Sequence, residues 1–185
     1  MVGLHGRRAM TSITIRPAHG DEAEAIAALQ IASWRDAYAG ILDAAFLAGP
    51  VEADRRDLWT ERFAAPRRDQ IVLVAAAADG LAGFCCLFAD GHPPWGALLD
   101  NLHVRPGGRG QGLGERLIKA GVAALVERGV AGGLHLWVFE ANAGARRFYQ
   151  RLGGRTVERV PSDMPGAIGQ TDLRIHWPSL AALAD

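Results

Sequence analysis

A glycine-rich turn between a predicted strand and a predicted helix constrains the fold of this chain most. Residues 105–114 read Arg-Pro-Gly-Gly-Arg-Gly-Gln-Gly-Leu-Gly, after an apolar run at residues 98–104. From residue 113 onward, apolar residues recur on one helical face. Glycines let neighbouring backbone N–H groups point the same way, and the helix N-terminus adds unpaired donors and a partial positive charge. The turn therefore predicts a phosphate site, to which Arg109 can add a formal charge.

The spacing of the glycines decides between phosphate ligands. A dinucleotide fingerprint that starts at Gly110 ends on Glu115 and not on glycine, and one that starts at Gly108 ends on Leu113. A nucleoside triphosphate loop needs a Gly-Lys pair, but the only lysine, Lys119, lies inside the helix. A nucleotide-binding protein such as a dehydrogenase is therefore disfavoured. Taken by themselves, residues 105–114 also allow the alternative of a structural turn that binds no ligand.

A second motif follows the helix. A strand is predicted at residues 134–139 and a helix from Ala143 to Leu152, with Asn142 as its N-cap. Asn142 and Tyr149 are separated by close to two helical turns and therefore project from the same side. The two motifs follow one another in the chain, so we interpret them together and not as separate coincidences.

These two motifs resemble those of the GNAT superfamily of N-acetyltransferases. The pattern Arg109-x-x-Gly112-x-Gly114 is similar to the acyl-CoA pyrophosphate loop of that family. The second motif is similar to the family pattern Asn-x-x-Ala-x-x-Phe-Tyr-x-x-x-Gly-Phe, and it departs from it at Gly154, where the family usually has phenylalanine. That departure removes an apolar group and no catalytic one.

The resemblance implies an α/β (α+β) GNAT fold: a mixed, mostly antiparallel central sheet of about seven strands, flanked by helices. The predicted order of elements, β-α-α-β-β-β-α-β-α-β-β, agrees with it, and a hairpin is predicted at Asp79-Gly80. A chain of 185 residues, 49% hydrophobic, suits one domain. We expect residues 11–185 to form it, behind a disordered arm at residues 1–10.

The resemblance also implies direct attack of an amine on bound acetyl-CoA. Tyr149 is the expected acid for the leaving thiolate, since a neutral phenol keeps its proton at working pH. One backbone N–H of the strand before the turn, most simply that of Val104, is expected to face the thioester oxygen. The residues expected to contact the cosubstrate are Leu102, His103, Val104, Arg109, Gly110, Gln111, Gly112, Leu113, Gly114 and Asn142.

The sequence offers two carboxylates as the base. By strand alternation, Asp100 is expected on the same face as Leu102 and Val104, where its carboxylate could take the amine proton. Glu140 is a weaker alternative. Protein N-terminal acetyltransferases of this superfamily carry a glutamate where this chain has Trp137, which speaks against that substrate class.

Composition limits the partners. A formal net charge of zero argues against bulk binding to nucleic acid, no apolar run is long enough to span a membrane, and six histidines show no metal-ligand spacing. Together with the resemblance, these limits imply a cytoplasmic enzyme without a metal. The resemblance implies that it acetylates a small-molecule or peptide amine, and we expect that amine near Trp34, Tyr38 and the loop at residues 161–170. The alternative is a catalytically silent CoA-binding regulatory module. The sequence leaves open whether the chain forms a homodimer.

Overall fold

The computed structural model describes residues 12–184, so the arm predicted at residues 1–10 lies outside the described residues. Within them the chain forms seven strands and five α-helices, with a short 3₁₀-helix at Leu180–Leu183. The strands are β1 (Thr14–Pro17), β2 (Gln70–Ala77), β3 (Gly80–His92), β4 (Gly96–Val104), β5 (Leu134–Phe139), β6 (Arg155–Pro161) and β7 (Thr171–Trp177). The helices are α1 (Ala23–Ala37), α2 (Ala44–Ala48), α3 (Val51–Ala64), α4 (Leu113–Glu127) and α5 (Ala143–Arg151).

All seven strands join one sheet in the order β1-β2-β3-β4-β5-β7-β6. Every neighbouring pair is antiparallel except β4 and β5, which are parallel and joined through α4. The predicted mixed, mostly antiparallel sheet of about seven strands is confirmed. The hairpin predicted at Asp79-Gly80 is present, and Gly80 has a φ of 116°, a conformation that favours glycine.

Apolar layers cover both faces of the sheet. Leu117, Val122 and Leu125 of α4 pack on one face, in a core cluster that includes Cys85, while α1 and α3 cover the other face, in a cluster that includes Cys86. The two cysteines are free thiols and point to opposite faces, as strand alternation predicts. Both are packing residues.

The sheet splits between β4 and β5. These strands pair only at Ala97 with Leu134 and at Leu98 with His135. Beyond those positions they separate, so that residues 99–104 of β4 keep one unpaired edge. Unpaired strand edges can accept an extended ligand as an added strand. The split therefore creates a cleft near the middle of the molecule.

Among residues 12–184, no helix combines the length and the apolar character required to cross a membrane.

Candidate active site

A cavity of about 450 Å³ lies at the open edge of β4, between the N-terminal ends of α4 and α5; we call it the loop cavity. Tyr149 lines it, together with every residue expected to contact the cosubstrate except Gln111. Residues that are far apart in the sequence, from β4, the glycine turn and α5, are therefore brought together as expected. Gln111 is exposed on the turn and does not line the cavity.

The backbone of the glycine turn is arranged as an anion site. Gly107, Gly110 and Gly112 have φ values between 75° and 80°, which only glycine adopts without strain. Within residues 12–184, no hydrogen-bond acceptor is described for the backbone N–H groups of residues 109–115. Such a run of unpaired donors, at the positive end of the helix α4 dipole, suits a diphosphate. A Cβ added at Gly110 or Gly112 would meet no atom within 4 Å, so the space in front of the turn is open.

Arg109 stands at the mouth of this turn. Its Nη1 lies 2.8 Å from Oδ2 of Asp36 on α1, and both side chains are about half exposed. An exposed pair of this kind is worth little free energy and rearranges readily. The guanidinium is therefore held near the amides of the turn and can still turn towards an anionic ligand.

Every second backbone N–H of β4 faces the split between β4 and β5. The N–H of Arg105 donates to the carbonyl oxygen of Ala82 on β3, at 3.0 Å. Because successive backbone N–H groups of a strand point to opposite edges, those of Val104 and Leu102 face the split. The N–H of His103 faces β3, so His103 can contribute to the loop cavity only through its side chain.

The side chain of His103 is buried and neutral. Its Nδ1 lies 3.1 Å from the hydroxyl oxygen of Ser33, which also lines the loop cavity. Burial, with Arg55 and Arg109 nearby, lowers the pKa of His103 to about 3. At neutral pH this imidazole therefore offers hydrogen bonds and carries no charge.

Tyr149 lies on the face of α5 that borders the loop cavity. Its ring packs edge-on against Phe148 and Trp177, with centroids 5.1 and 6.1 Å apart. Burial raises the pKa of the Tyr149 phenol above its usual value near 10. The phenol is therefore fully protonated at physiological pH and available as a hydrogen-bond donor. Asn142 caps the same helix: its Oδ1 accepts from the N–H of Ala145 at 3.1 Å.

A second phenol, that of Tyr38, also lines the loop cavity. From the sequence, this residue was expected only near the acceptor amine. Tyr38 follows α1, and its ring packs edge-on against Phe139 at 5.2 Å and against Trp34 at 5.4 Å. Burial raises the pKa of Tyr38 to about 12. The pattern of α1 gave no signal that its end would reach the glycine turn.

Asp100 does not share a face with Leu102 and Val104, and that expectation is wrong. On β3, Cys86 pairs with Asn101 and Leu87 pairs with Leu99, so Asp100 is the extra residue of a β-bulge. The bulge turns Asp100 and its neighbour Asn101 to the α1–α3 side of the sheet. Asp100 forms an ion pair with Arg62 of α3, with 2.7 Å between Nη1 and Oδ2.

Asp100 lines a second cavity, of about 710 Å³, which we call the arginine cavity. It lies between α3, the ends of β3 and β4, and strands β5 and β7. Trp137 lines both cavities, so the two spaces adjoin at this residue, beside the split in the sheet. The second base candidate, Glu140, lines neither cavity and pairs with Arg159 at 2.6 Å.

The arginines of this second cavity already have acidic partners. Arg62 pairs with Asp100, Arg67 with Asp69, and Arg174 with Glu158, while Arg174 also lies 4.1 Å from the ring centroid of Trp137. Two further carboxylates line the cavity, Glu61 and Asp90, and no ion pair is described for either within residues 12–184. The balance of unpaired charge in the cavity is therefore acidic.

No metal site is evident among the described residues, since no group of three or more His, Cys, Asp or Glu side chains there could hold an ion.

Comparison with known proteins finds acetyltransferases. Residues 30–154 match the family model of the acetyltransferase (GNAT) family. The streptothricin acetyltransferase of Streptomyces lavendulae is 39% identical over 88 residues, which are 46% of this chain and 44% of that protein. The blasticidin-S acetyltransferase of Streptomyces morookaense is 42% identical over 79 residues, which are 41% of this chain and 55% of that protein. The match thus spans about half the length of these curated relatives.

The fold is also that of solved acetyltransferases. The crystal structure of the PaiA N-acetyltransferase from Thermoplasma acidophilum, in complex with coenzyme A, superposes with a TM-score of 0.73. The two chains are 20% identical, and the superposition covers 90% of this chain and 99% of the other. At that identity the likeness concerns the fold alone.

Proposed function

This chain belongs to the acetyltransferase (GNAT) family, and we propose that it transfers the acetyl group of acetyl-CoA to a primary amine of a small molecule. One observation carries the proposal: the unpaired amides of residues 109–115 and the buried phenol of Tyr149 border the same cavity, beside an unpaired strand edge. Anion site, strand edge and proton donor are the three features that a CoA thioester requires.

The residues of the loop cavity fit a CoA ester by their chemistry. The amides from Arg109 to Glu115, with the Arg109 guanidinium, would bind the diphosphate. The N–H groups of Leu102 and Val104 would pair with the amides of the pantetheine arm as an added strand does. The Asn142 side-chain NH₂, which its capping bond leaves free, would add a donor on the opposite wall.

The chain then supplies the proton donor and the oxyanion donor for acyl transfer. The N–H of Val104 on the unpaired edge would stabilise negative charge on the thioester oxygen. Tyr149 would donate a hydrogen bond, and finally a proton, to the sulfur as it leaves. Its raised pKa keeps the phenol neutral until that charge develops next to it. No covalent acyl-enzyme intermediate is needed, because the thioester is already activated.

The arginine cavity is the proposed site of the acceptor. It meets the loop cavity at Trp137, and its unpaired carboxylates, Glu61 and Asp90, would favour a positively charged molecule. Asp100 lines this cavity and stays the proposed group for binding the amine or taking its proton. Both curated relatives are named for small-molecule acceptors, streptothricin and blasticidin S, which supports a small amine over a peptide.

An acetylation screen tests this proposal. Purified protein is mixed with acetyl-CoA and with streptothricin, blasticidin S or a lysine-containing peptide, and thiol release and acceptor mass are measured. We expect transfer to a small-molecule amine. CoA binding without transfer to any amine would favour a CoA-responsive regulatory module instead.

A thermal-shift series with CoA and NAD tests which of the two ligands the protein binds. A ligand at about a hundred times its dissociation constant stabilises a protein by roughly 2.7 kcal/mol. We expect CoA to raise the melting temperature and NAD to leave it unchanged. The reverse order would overturn the assignment of the loop cavity.

A further inference from the structure

A chain of buried polar side chains runs from α3 through α1 to β4. The indole Nε1 of Trp59 donates to Oε1 of Gln30 at 2.6 Å, and Nε2 of Gln30 donates to Oδ1 of Asn101 at 2.6 Å. The Nδ2 of Asn101 then donates to Oδ2 of Asp100. Trp59 and Gln30 are fully buried, and Asn101 is 7% exposed. We call Trp59, Gln30 and Asn101 the relay.

Burying the polar side chains of the relay costs free energy that apolar side chains in the same place would not cost. The relay lies in an apolar cluster around Ile26, Phe84 and Cys86, where side chains without polar atoms would need no partners. Burying an amide costs free energy that its hydrogen bonds only offset. Every donor of the relay points the same way, towards Asp100, so that each hydrogen bond polarises the next and the last one ends on that carboxylate.

The bulge in β4 brings the relay to the cavity. In a regular strand, Asp100 and Asn101 would point to opposite faces. Because Asp100 is the extra residue of the bulge, both point to the α1–α3 side, where the Asn101 amide can reach its neighbour's carboxylate. Bulges re-aim side chains next to functional sites in many proteins.

Arg62 holds the same carboxylate from the cavity side. Its Nη1 lies 2.7 Å from Oδ2 of Asp100, and its guanidinium carbon lies 5.2 Å from the ring centroid of Trp59 and 5.3 Å from that of Phe88. Trp59 is thus the first member of the relay and also contacts Arg62, which pairs with the carboxylate at the far end of the relay. All contacts described for the Asp100 carboxylate end on Oδ2.

We infer that the relay and Arg62 fix Oδ2 of Asp100 so that Oδ1 is presented to the arginine cavity, where it binds the primary ammonium or amine of the acceptor. Gln30, Asn101 and Trp59 are then positioning residues that act through Asp100. The inference rests on the proposed function, in which the arginine cavity takes the acceptor.

The first arm of the test needs no acceptor. The side-chain amide resonances of Gln30 are followed by NMR in wild type and in Asp100→Asn, with their assignment confirmed by their loss in Gln30→Leu. Gln30 has no described contact with Arg62, so a shift there reports on the hydrogen-bonded relay. We expect Asp100→Asn to shift these resonances and Asp90→Asn, which changes a carboxylate of the same cavity, to leave them in place. Unmoved Gln30 resonances in Asp100→Asn would overturn the relay.

The second arm is a double-mutant cycle on acetyl transfer to the best amine of the screen. We expect Gln30→Leu to lower kcat/KM for the acceptor by roughly 10-fold or more and to leave the KM for acetyl-CoA unchanged. In the Asp100→Asn background the same change should cost less than about 3-fold, because its effect passes through Asp100. Equal costs in both backgrounds would mean a merely structural role.

Two further variants guard against a general loss of folding. Trp59→Phe removes the indole donor and keeps an aromatic ring, and we expect a smaller effect with the same non-additivity. Phe63→Leu alters a ring 6.1 Å from that of Trp59 without touching a hydrogen bond, and its effect should be independent of Asp100. If no amine is acetylated at all, the proposed function fails. The Gln30 resonances alone then test whether the relay connects Gln30 to Asp100.

Discussion

Gly154 lies against the indole ring of Trp177, which occupies the space that a side chain at residue 154 would need. A Cβ added at Gly154 would come within 2.6 Å of Cζ2 of Trp177 and of Cγ2 of Ile175. The indole Nε1 donates to the carbonyl oxygen of Leu152 at 2.8 Å, and its ring packs against Tyr149. The apolar group that the family usually places at this position is thus supplied from β7.

Gly154→Ala should therefore destabilise the fold. The new methyl group would overlap a fully buried ring that has no room to turn, which costs about 1–3 kcal/mol. Urea unfolding measures the loss. Gly144→Ala is the matched control: its nearest contact would be 3.8 Å away, so stability there should stay the same or rise. Equal stabilities of the two variants would contradict the close approach of Trp177.

Tyr149→Phe should lower turnover by about 10²–10⁴ and leave CoA affinity nearly unchanged, since it removes only the donor to the leaving sulfur. Steady-state kinetics and calorimetric titration with CoA separate the two effects. Tyr38→Phe removes the other phenol of the loop cavity and should cost less than about 10-fold. Normal turnover of the Tyr149 variant would rule out its role as the acid.

Gly112→Ala should weaken CoA binding by about 10-fold or more. Residue 112 has a φ of 75°, where an L-residue is strained by about 1–2 kcal/mol, and relaxing that strain would turn the amides of the glycine turn away from the diphosphate. Gly129→Ala imposes the same strain at a φ of 77°, at the far end of α4. Both variants should lose similar stability, and only the first should lose CoA affinity in a titration.

Stability should fall as the pH is lowered from about 6.5 towards 4. Burial lowers the pKa of His103 to about 3 and that of His135 to about 4, from an unfolded value near 6.5. The unfolded chain therefore binds more protons than the folded chain in this pH window. At pH 5, each of the two histidines lowers the free energy of unfolding by about 2 kcal/mol. Urea unfolding at pH 7 and pH 5 measures the loss, which His103→Gln should reduce by about half. The same loss in that variant would show that His103 does not carry the effect.

The sequence predicts those parts of the site that follow from local patterns. Glycine spacing located the turn at residues 105–114, and helical periodicity placed Asn142 and Tyr149 on one side of α5. The observed bounds of β5 and the start of α5 agree with the predicted ones. Local backbone chemistry determines these features, so they can be read without knowledge of distant contacts.

The remaining features depend on partners that are far away in the chain. The bulge at Asp100 is set by the register between β3 and β4, so alternation along β4 alone predicted the wrong face. Tyr38 reaches the loop cavity only because α1 packs across the sheet. Trp177 fills the space beside Gly154 from another strand, which no local pattern signals.

The split between β4 and β5 has a consequence for how this lineage can change. The loop cavity is lined by the glycine turn and the ends of α1, α4 and α5, whereas α3, β3 and β7 line the arginine cavity alone. Strands β4 and β5 contribute to both cavities, and Trp137 is a residue common to both. Under the proposed function, substitutions in α3, β3 or β7 would change the lining of the acceptor cavity while the lining of the acetyl-CoA cavity stays the same. The choice of acceptor would then change through residues on one side of the sheet alone.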